Sequence, residues 1–334
     1  MRSDSRIQLF PAKILFPTSL LVRFTHFNKE FIKTSKDIMS YRSIVLVKQV
    51  PDTANISGQV MKPDGTVNRA MLPAIFNPED KVALELALDT RDKFGGEVIA
   101  LTMGPPKASE LLRECLYMGA DQVILISDRK FAGADTLATS YVLSEAIKKI
   151  GSFDMIFAGR QAIDGDTAQV GPQTAEKLQI PQITYAEKIE DLKKKQITIR
   201  RRIDGGHEIL ECLLPLLITV IKDAAVPRPF KAKRVMAYKN ARSLVELEKM
   251  VEGNSLLYLD DLKEEYTSKK LFIETLTMDE LSVEAERCGL HGSPTKVFKI
   301  ESVVLGGGEH IKIEPTKEGL GVLVDKLMDD HILG

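Results

Sequence analysis

From residue 43 onward the sequence alternates between short runs of aliphatic, often β-branched residues and longer segments with helical periodicity. The apolar runs are nearly continuous in Val, Ile and Leu, which is typical of parallel strands buried on both faces. The pattern therefore predicts an α/β fold in which helices cover both faces of a parallel, Rossmann-like sheet. Four runs are predicted as strands: residues 44–50, 97–102, 122–127 and 154–158.

The segments between these strands are predicted as helices over residues 78–94, 107–118, 136–150 and 168–178. Asn77 is a favourable N-cap for the first helix, and Pro78 suits its first position. Glu79 and Asp80 follow, and their charges complement the positive end of the helix dipole. Asp135 is expected to cap the helix over 136–150 in the same way.

The pattern changes after residue 181. Segments 183–189, 196–203 and 207–213 alternate in polarity and are joined by turn-forming residues, which predicts an antiparallel extension of the sheet. Residues 222–300 mix charge, proline and short helical pieces, and a final helix is predicted over 319–328. We therefore expect an α/β domain over 41–230, followed by a partner-binding region and C-terminal arm over 231–334.

Residues 1–40 are basic and sustain no strand or helix period. Three interpretations remain open for them: a transit peptide, a weak secretory signal, or sequence upstream of a true start at Met39. The false start is favoured, because the first core strand is predicted just after Met39.

Net charge, cysteine spacing and the length of the apolar runs limit which partners and sites are expected for this chain. The net charge of -1 creates no global field that would attract nucleic acid. The three cysteines are far apart and indicate neither a disulfide framework nor a metal site. No apolar run approaches the roughly 18 residues needed to cross a bilayer. We expect a protein of the cytoplasm, or of the mitochondrial matrix if residues 1–40 are a transit peptide.

Common catalytic motifs are missing from the sequence. It contains no GxSxG, HExxH or P-loop lysine motif, and no GxGxxG follows the first strand. We therefore predict no catalytic acid or base, and expect any chemistry to be that of a bound cofactor.

The most informative segment is 158–172, where a predicted strand ends and a helix begins. Ligands bind at this position in parallel sheets, because helix N-terminal N–H groups can hold phosphate oxygens. Gly159 and Gly165 allow close backbone approach or a positive φ, and Thr167 offers a hydroxyl. An alternative is a simple capped helix start, with Asp166 as N-cap and Asp164 in an Asx turn.

This segment also carries a resemblance. Residues Gly159-Arg160-Gln161-Ala162-Ile163-Asp164 resemble the nucleotide-binding loop of electron transfer flavoprotein beta subunits. Three other blocks match that family in order: residues 45–52, residues 76–80 and residues 103–105 with 118–121. The resemblance implies an adenine nucleotide alpha hydrolase-like sheet and a partner alpha subunit.

The resemblance also implies a nucleotide across the carboxyl ends of the strands. The residues it assigns to cofactor binding are Leu46, Asn77, Pro78, Glu79, Asp80, Met103, Asp135, Thr136, Gly159, Arg160, Gln161, Ala162, Ile163, Asp164, Gly165, Asp166, Thr167, Ala168, Gln169 and Val170.

Two kinds of family member differ in this nucleotide. Conventional beta subunits hold structural AMP, whereas bifurcating ones hold a second FAD that accepts electrons from NADH. The run over 164–167 resembles the bifurcating loop, because Gly165 and Ala168 leave room for a pyrophosphate. Segments 128–136 and 289–297 also resemble bifurcating members. FAD is thus expected, with AMP as the alternative and NADH as the donor.

The resemblance leaves the redox partner open between an acyl-CoA dehydrogenase and a quinone oxidoreductase. Arg160 and Lys48 are candidates for a positive group beside the flavin. Residues 227–234 correspond to the family's docking loop, although Ala232 stands where a leucine is expected. A nucleotide-binding regulatory module remains a rival interpretation.

Overall fold

The computed structural model describes residues 40–52, 72–253, 257–295 and 312–329. Residues 40–52 and 72–295 belong to one compact unit, and residues 312–329 belong to a second. The strands are β1 (Tyr41–Leu46), β2 (Gln49–Pro51), β3 (Ala74–Phe76), β4 (Gly96–Met103), β5 (Gln122–Ile126), β6 (Met155–Gly159), β7 (Gln182–Lys193), β8 (Gln196–Ile203), β9 (Gly206–Leu213), β10 (Leu216–Val220), β11 (Arg242–Ser243) and β12 (Phe272–Leu276).

The helices alternate with the early strands and then follow them. They are α1 (Pro78–Phe94), α2 (Ser109–Met118), α3 (Thr136–Ile150), α4 (Val170–Leu178), α5 (Ala232–Tyr238), α6 (Leu244–Glu252), α7 (Leu259–Ser268), α8 (Met278–Leu281) and α9 (Lys317–Asp329).

The main sheet has the order β11-β12-β5-β4-β1-β6-β10-β7-β8-β9. Strand β1 is central and pairs in parallel with β4 on one side and β6 on the other. Along the chain, β4 and β5 are added on one side of β1 before β6 is added on the other side. The order therefore reverses beside β1, which opens a crevice at the carboxyl ends of β1 and β6.

Alternating side chains of the parallel strands bury against two helical layers. Val45 and Ala100 belong to one apolar cluster with Leu84 of α1. Ile44, one position earlier, belongs to a second cluster with Val142 of α3. Strands with both faces buried must be apolar at every position, which explains the continuous runs in the sequence.

Several predictions from the sequence are confirmed. Helices α1 and α3 span the predicted residues 78–94 and 136–150, and the Asp135 side chain caps α3. Strands β7, β8 and β9 form the predicted antiparallel extension. Strand β10 was not predicted, although its run is apolar and buried at every position except Thr219, which is polar but buried.

Two predicted boundaries were wrong. The strand predicted over 44–50 ends at Leu46, and Gln49–Pro51 pairs separately with β3. The helix predicted from residue 168 begins at Val170, because Asp166 and Ala168 have φ angles of 49° and 53°. Those values lie in the left-handed region, which a right-handed helix cannot contain.

The packing has no break at residue 230. Strand β12 pairs in parallel with β5, and β11 pairs with β12, so these late strands extend the main sheet. The expected arm over 231–334 thus differs from the structure, where the first unit continues to residue 295. In the second unit, helix α9 carries four exposed apolar side chains: Leu320, Val322, Val324 and Met328.

Candidate functional site

A cavity of about 360 Å³ lies at the carboxyl ends of β1, β4 and β6. Leu46 and Met103 line it from the strand ends, and Thr136 and Val170 line it from the starts of α3 and α4. The crevice predicted at the reversal of strand order is therefore a formed cavity. A second cavity of about 580 Å³ adjoins it and shares Met103 and Phe131 in its lining.

The loop that follows β6 forms one wall of the first cavity. Gly159 begins it, and a Cβ atom there would lie 2.4 Å from Asp80 Oδ1 and 2.8 Å from Asp80 N. Only glycine allows that approach. Gly165 has open space around its Cβ position. The positive φ angles of this loop belong to Asp166 and Ala168, not to these two glycines.

Asn77 holds this loop from behind. Its Nδ2 donates to Gln161 O at 2.9 Å, and Ile163 N donates to its Oδ1 at 3.2 Å. Its backbone N–H donates to Lys48 O at 3.0 Å. The predicted N-cap role of its side chain is wrong, because that side chain makes no capping hydrogen bond to α1. Asn77 instead joins the segments that follow β1 and β6.

Glu79 fixes the next part of the loop. Gln161 N donates to Glu79 Oε2 at 3.0 Å, and Arg160 Nη2 lies 3.0 Å from Glu79 Oε1. The Arg160 guanidinium also lies over the Tyr185 ring, 5.8 Å from its centroid. Arg160 is thus held at the cavity wall by a half-buried ion pair rather than freely solvated.

Asp80 bridges the two strand ends with its two carboxylate oxygens. Lys48 N donates to Oδ2 at 2.9 Å, and Gly159 N donates to Oδ1 at 3.0 Å. Burial raises the pKa of Asp80 to about 7, although hydrogen bonds from Asn77, Gly159 and Lys48 oppose that rise. Asn77, Glu79 and Asp80, named here the α1 clamp, together fix the backbone at the switch point.

Lys48 and Asp164 form an ion pair at the cavity. Lys48 Nζ lies 2.8 Å from Asp164 Oδ1 and 2.7 Å from Oδ2, and both residues line the cavity. A carboxylate in this position would repel a phosphate, but the lysine neutralises it. The alternative in which Asp164 only forms an Asx turn does not match the structure, since its carboxylate binds Lys48 and the residue lines the cavity.

The other aspartate of the loop also departs from its predicted role. Asp166 precedes α4 by four positions and accepts a hydrogen bond from Gln161 Nε2 at 2.8 Å, so it does not cap that helix. Gln169 occupies the cap position, and its side chain makes no capping bond. The first N–H groups of α4, on Val170 and Gly171, have no acceptor within the helix. Both residues line the cavity.

The start of α3 forms the opposite wall. Asp135 Oδ1 accepts from Leu137 N at 2.9 Å and from Ala138 N at 3.0 Å. Thr136 Oγ1 donates to Gln169 Oε1 at 3.0 Å, which joins the starts of α3 and α4. The two helix N-termini therefore face the same cavity.

Most residues assigned from the resemblance meet at this cavity. Five do not line it, because they lie behind the loop or point away: Asn77, Pro78, Glu79, Ile163 and Asp166. The others line it: Leu46, Asp80, Met103, Asp135, Thr136 and residues 159–162, 164–165 and 167–170.

Sequence reasoning found some apolar lining residues, such as Leu46 and Met103, and missed others. Leu101, Phe131 and Leu143 are among those missed, together with the polar Thr139. Leu101 had been assigned only to the core of a strand. Phe131 carried a signal, because it lies in the segment 128–136 that resembles bifurcating members.

The site suits an anionic, partly apolar ligand. The uncapped start of α4 and the Thr167 hydroxyl offer donating groups, Lys48 neutralises Asp164, and the aliphatic side chains offer an apolar surface. The described residues contain no group of three or more His, Cys, Asp or Glu that could hold a metal ion. Among the same residues, no helix is long and apolar enough to cross a membrane.

Comparisons with known proteins agree on one family. A family model described as the electron transfer flavoprotein domain matches residues 64–243. A relative from Clostridium acetobutylicum, named electron transfer flavoprotein subunit beta, is 40% identical over 290 residues, covering 87% of this chain and 99% of its own.

Two further relatives belong to named reductase complexes. The acryloyl-CoA reductase electron transfer subunit gamma of Anaerotignum propionicum is 45% identical over 299 residues, with 87% of this chain and 100% of the relative covered. Subunit CarD of the caffeyl-CoA reductase-Etf complex of Acetobacterium woodii is 42% identical over 295 residues, with the same coverage.

Proposed function

Because the chain belongs to the electron transfer flavoprotein family, with beta subunits among its relatives, we propose that it binds FAD in the described cavity and carries electrons. NADH is the proposed donor, and an alpha subunit of the same family is the proposed partner. When bound, FAD supplies the exchange between two-electron and one-electron transfer. The chain itself binds and orients the cofactor.

One observation carries the proposal. The uncapped start of α4 meets a loop whose backbone the α1 clamp fixes from behind. Phosphate oxygens would bind the N–H groups of Val170 and Gly171, where the helix dipole favours negative charge. Thr167 would add a hydroxyl donor. Lys48 would keep Asp164 from repelling the phosphates.

The adjoining cavity favours FAD over AMP. FAD is larger than AMP and would occupy more volume at the strand ends than a mononucleotide does. The neighbouring cavity of about 580 Å³ supplies such volume next to Met103 and Phe131. The open space around the Cβ position of Gly165 also agrees with a ligand larger than AMP.

Arg160 is the candidate for tuning the cofactor. It lines the cavity while its guanidinium is held by Glu79 and Tyr185. A fixed positive charge near the flavin would stabilise its reduced, anionic form. We expect Arg160→Ala to lower flavin occupancy or the reduction potential, and unchanged values for both would contradict this role.

The names of the relatives support a partner class. One is named as an electron transfer subunit of acryloyl-CoA reductase, and another as a subunit of a caffeyl-CoA reductase-Etf complex. We propose that the redox partner of this chain acts on an acyl-CoA, as an acyl-CoA dehydrogenase does, with a quinone oxidoreductase as the alternative. The three free cysteines agree with a reducing compartment, for which the cytoplasm is proposed.

The test is the cofactor content of the full chain co-expressed with its alpha subunit, followed by addition of NADH. Two FAD per heterodimer, no AMP and bleaching by NADH would support the proposal. One FAD with one AMP and no response to NADH would identify a conventional electron carrier. A colourless monomer that binds nucleotide alone would favour a regulatory module.

A further inference from the structure

Segment 289–295 lies directly against the cavity wall formed by residues 130–136. Leu290 N donates to Ala132 O at 3.1 Å. Asp135 N donates to Ser293 Oγ at 2.8 Å, and Thr295 N donates to Asp135 Oδ2 at 3.0 Å. More than 150 residues separate the two segments in sequence, so these contacts are tertiary.

The approach of the two segments requires glycine. Gly289 has a φ of +54°, and a Cβ atom there would lie 2.1 Å from Lys130 O. A Cβ atom on Gly292 would lie 2.0 Å from the Arg287 carbonyl carbon, so this second glycine is required by the turn before the segment and not by the wall. No larger residue fits either position without moving the backbone. The segment is therefore shaped to fit tightly against the wall.

Ser293 connects the segment to the start of α3. Its side chain is almost fully buried, and its Oγ donates to Gly289 O at 2.7 Å while accepting from Asp135 N. The hydroxyl therefore acts as donor and acceptor at once. Losing it would leave the partly buried Asp135 N–H without this partner, which should weaken the contact between the segment and the start of α3.

The two carboxylate oxygens of Asp135 accept hydrogen bonds from two different segments. Oδ1 caps α3, and Oδ2 holds Thr295 N. Burial alone would raise the pKa of Asp135, but hydrogen bonds from Ala138, Thr295 and Leu137 outweigh it and lower the pKa. The carboxylate is thus ionised and fully engaged at neutral pH.

We propose that Ser293 and Asp135 are positioning residues that couple nucleotide occupancy of the cavity to the docking of segment 289–295. Asp135 and its neighbours Gly133, Ala134 and Thr136 line the cavity, whereas Ser293 does not. This inference rests on the proposed function in taking the ligand to be a nucleotide. Coupling is reciprocal: the nucleotide stabilises the docked segment, and undocking weakens nucleotide binding by the same factor.

The test is hydrogen–deuterium exchange of the full chain in complex with its alpha subunit, with AMP and FAD as probes. The variants are Ser293→Ala and Asp135→Asn. Asparagine caps helices as well as aspartate does, so Asp135→Asn can keep the cap of α3 through its amide oxygen. Its NH2 group then faces Thr295 N, and because it cannot accept a hydrogen bond the contact with Thr295 is lost. Ser268→Ala is the control, because that exposed hydroxyl bonds only within α7.

Without ligand, we expect faster exchange over 130–136 and 289–295 in both variants and no change in the control. Added nucleotide should protect 289–295 in the wild type, and both variants should bind it about fivefold or more weakly. If nucleotide binds but does not protect 289–295, and both variants bind it with wild-type affinity, the inference is overturned. The proposed function would stay intact.

The two failures are separable. If neither probe binds the wild type, the proposed function and the coupling to nucleotide are both overturned. Hydrogen–deuterium exchange without ligand tests the positioning role of Ser293 and Asp135 separately. Unchanged exchange over 130–136 in both variants would overturn that role.

Discussion

Gly159 N donates a hydrogen bond to Asp80 Oδ1 at 3.0 Å, and a Cβ atom on Gly159 would lie only 2.4 Å from that same oxygen. The carboxylate and the glycine therefore depend on each other. The glycine makes room for the oxygen, and the oxygen fixes the backbone from which the cavity loop begins. This contact joins the start of α1 to the end of β6.

The first prediction concerns that contact. Gly159→Ala should lower the free energy of unfolding by about 1–3 kcal/mol, because the added methyl group meets backbone and carboxylate that cannot both move. Chemical denaturation measures this. The control is Gly165→Ala, whose Cβ would meet nothing within 4 Å, so it should unfold like the wild type. Equal stability of the two variants would contradict the prediction.

Gly165→Ala also tests whether the ligand occupies the space beside this residue. Because the fold leaves the space beside Gly165 open, any loss of FAD affinity in this variant would come from contact with the ligand. Normal stability with weaker FAD binding would indicate that the ligand uses this space. Calorimetric titration on the same samples measures it.

The second prediction tests the α1 clamp. Asn77→Ala leaves Gln161 O and Ile163 N without their partner, which should cost about 1–3 kcal/mol of stability. Nucleotide affinity should fall although Asn77 does not line the cavity, because the loop loses its support. Thr90→Val is the control, a buried polar residue on the same helix that bonds only to Leu86 O. An equal loss of affinity in that control would point to general destabilisation.

The third prediction concerns the ion pair of Lys48 and Asp164. Lys48→Gln should weaken binding of AMP or FAD more than that of adenosine, because the carboxylate left behind repels phosphate. Lys48→Gln with Asp164→Asn should recover part of the affinity. The pair is partly exposed, so either change should alter stability by less than about 1 kcal/mol. Titration of each variant with each ligand measures these affinities. If the double variant recovers no affinity, Lys48 does not act by neutralising Asp164.

The fourth prediction is a pH dependence. The pKa of Asp80 is raised to about 7 in the folded chain by burial. Its contribution to stability is therefore present below its ordinary unfolded pKa and is lost as pH rises toward and through 7. One proton limits this slope to about 1.4 kcal/mol per pH unit. Lys48 faces the carboxylate and moderates the effect.

Asp80→Asn should remove that slope. Urea unfolding of the wild type and the variant at pH 5, 6, 7 and 8 measures the difference. The wild type should lose stability relative to Asp80→Asn as pH rises. Parallel curves across this range would show that Asp80 does not titrate there.

The fifth prediction concerns Arg228 in the segment that resembles a docking loop. Its guanidinium binds the buried Glu85 at 2.8 Å and also Asp89 and Asp92 of α1. Arg228→Ala leaves Glu85 buried without its counter-charge and should cost about 3–5 kcal/mol. Arg202→Ala removes solvent-exposed ion pairs with Glu187 and Asp223 and should change stability little. Similar losses in both variants would contradict the anchoring role.

The site was partly predictable from sequence, for reasons that its residues make clear. Residues 159–170 were found because they follow a buried strand and resemble the nucleotide-binding loop of the family. The roles of Asn77 and Asp164 were misjudged as local caps and turns. Their partners are more than 80 residues away, and no local pattern reports such contacts.

The sequence by itself determined the layered α/β architecture, because strands buried on both faces require continuous apolar runs and helices require a different period. It also determined the starts of α1 and α3, through Pro78 with its following acidic residues and through the capping Asp135. Tertiary structure alone decided which backbone groups the α1 clamp binds and that Gly159 contacts the Asp80 carboxylate. It also decided that β11 and β12 extend the main sheet. These depend on distances between segments far apart in the chain, which are set only when the strands take their order in the sheet.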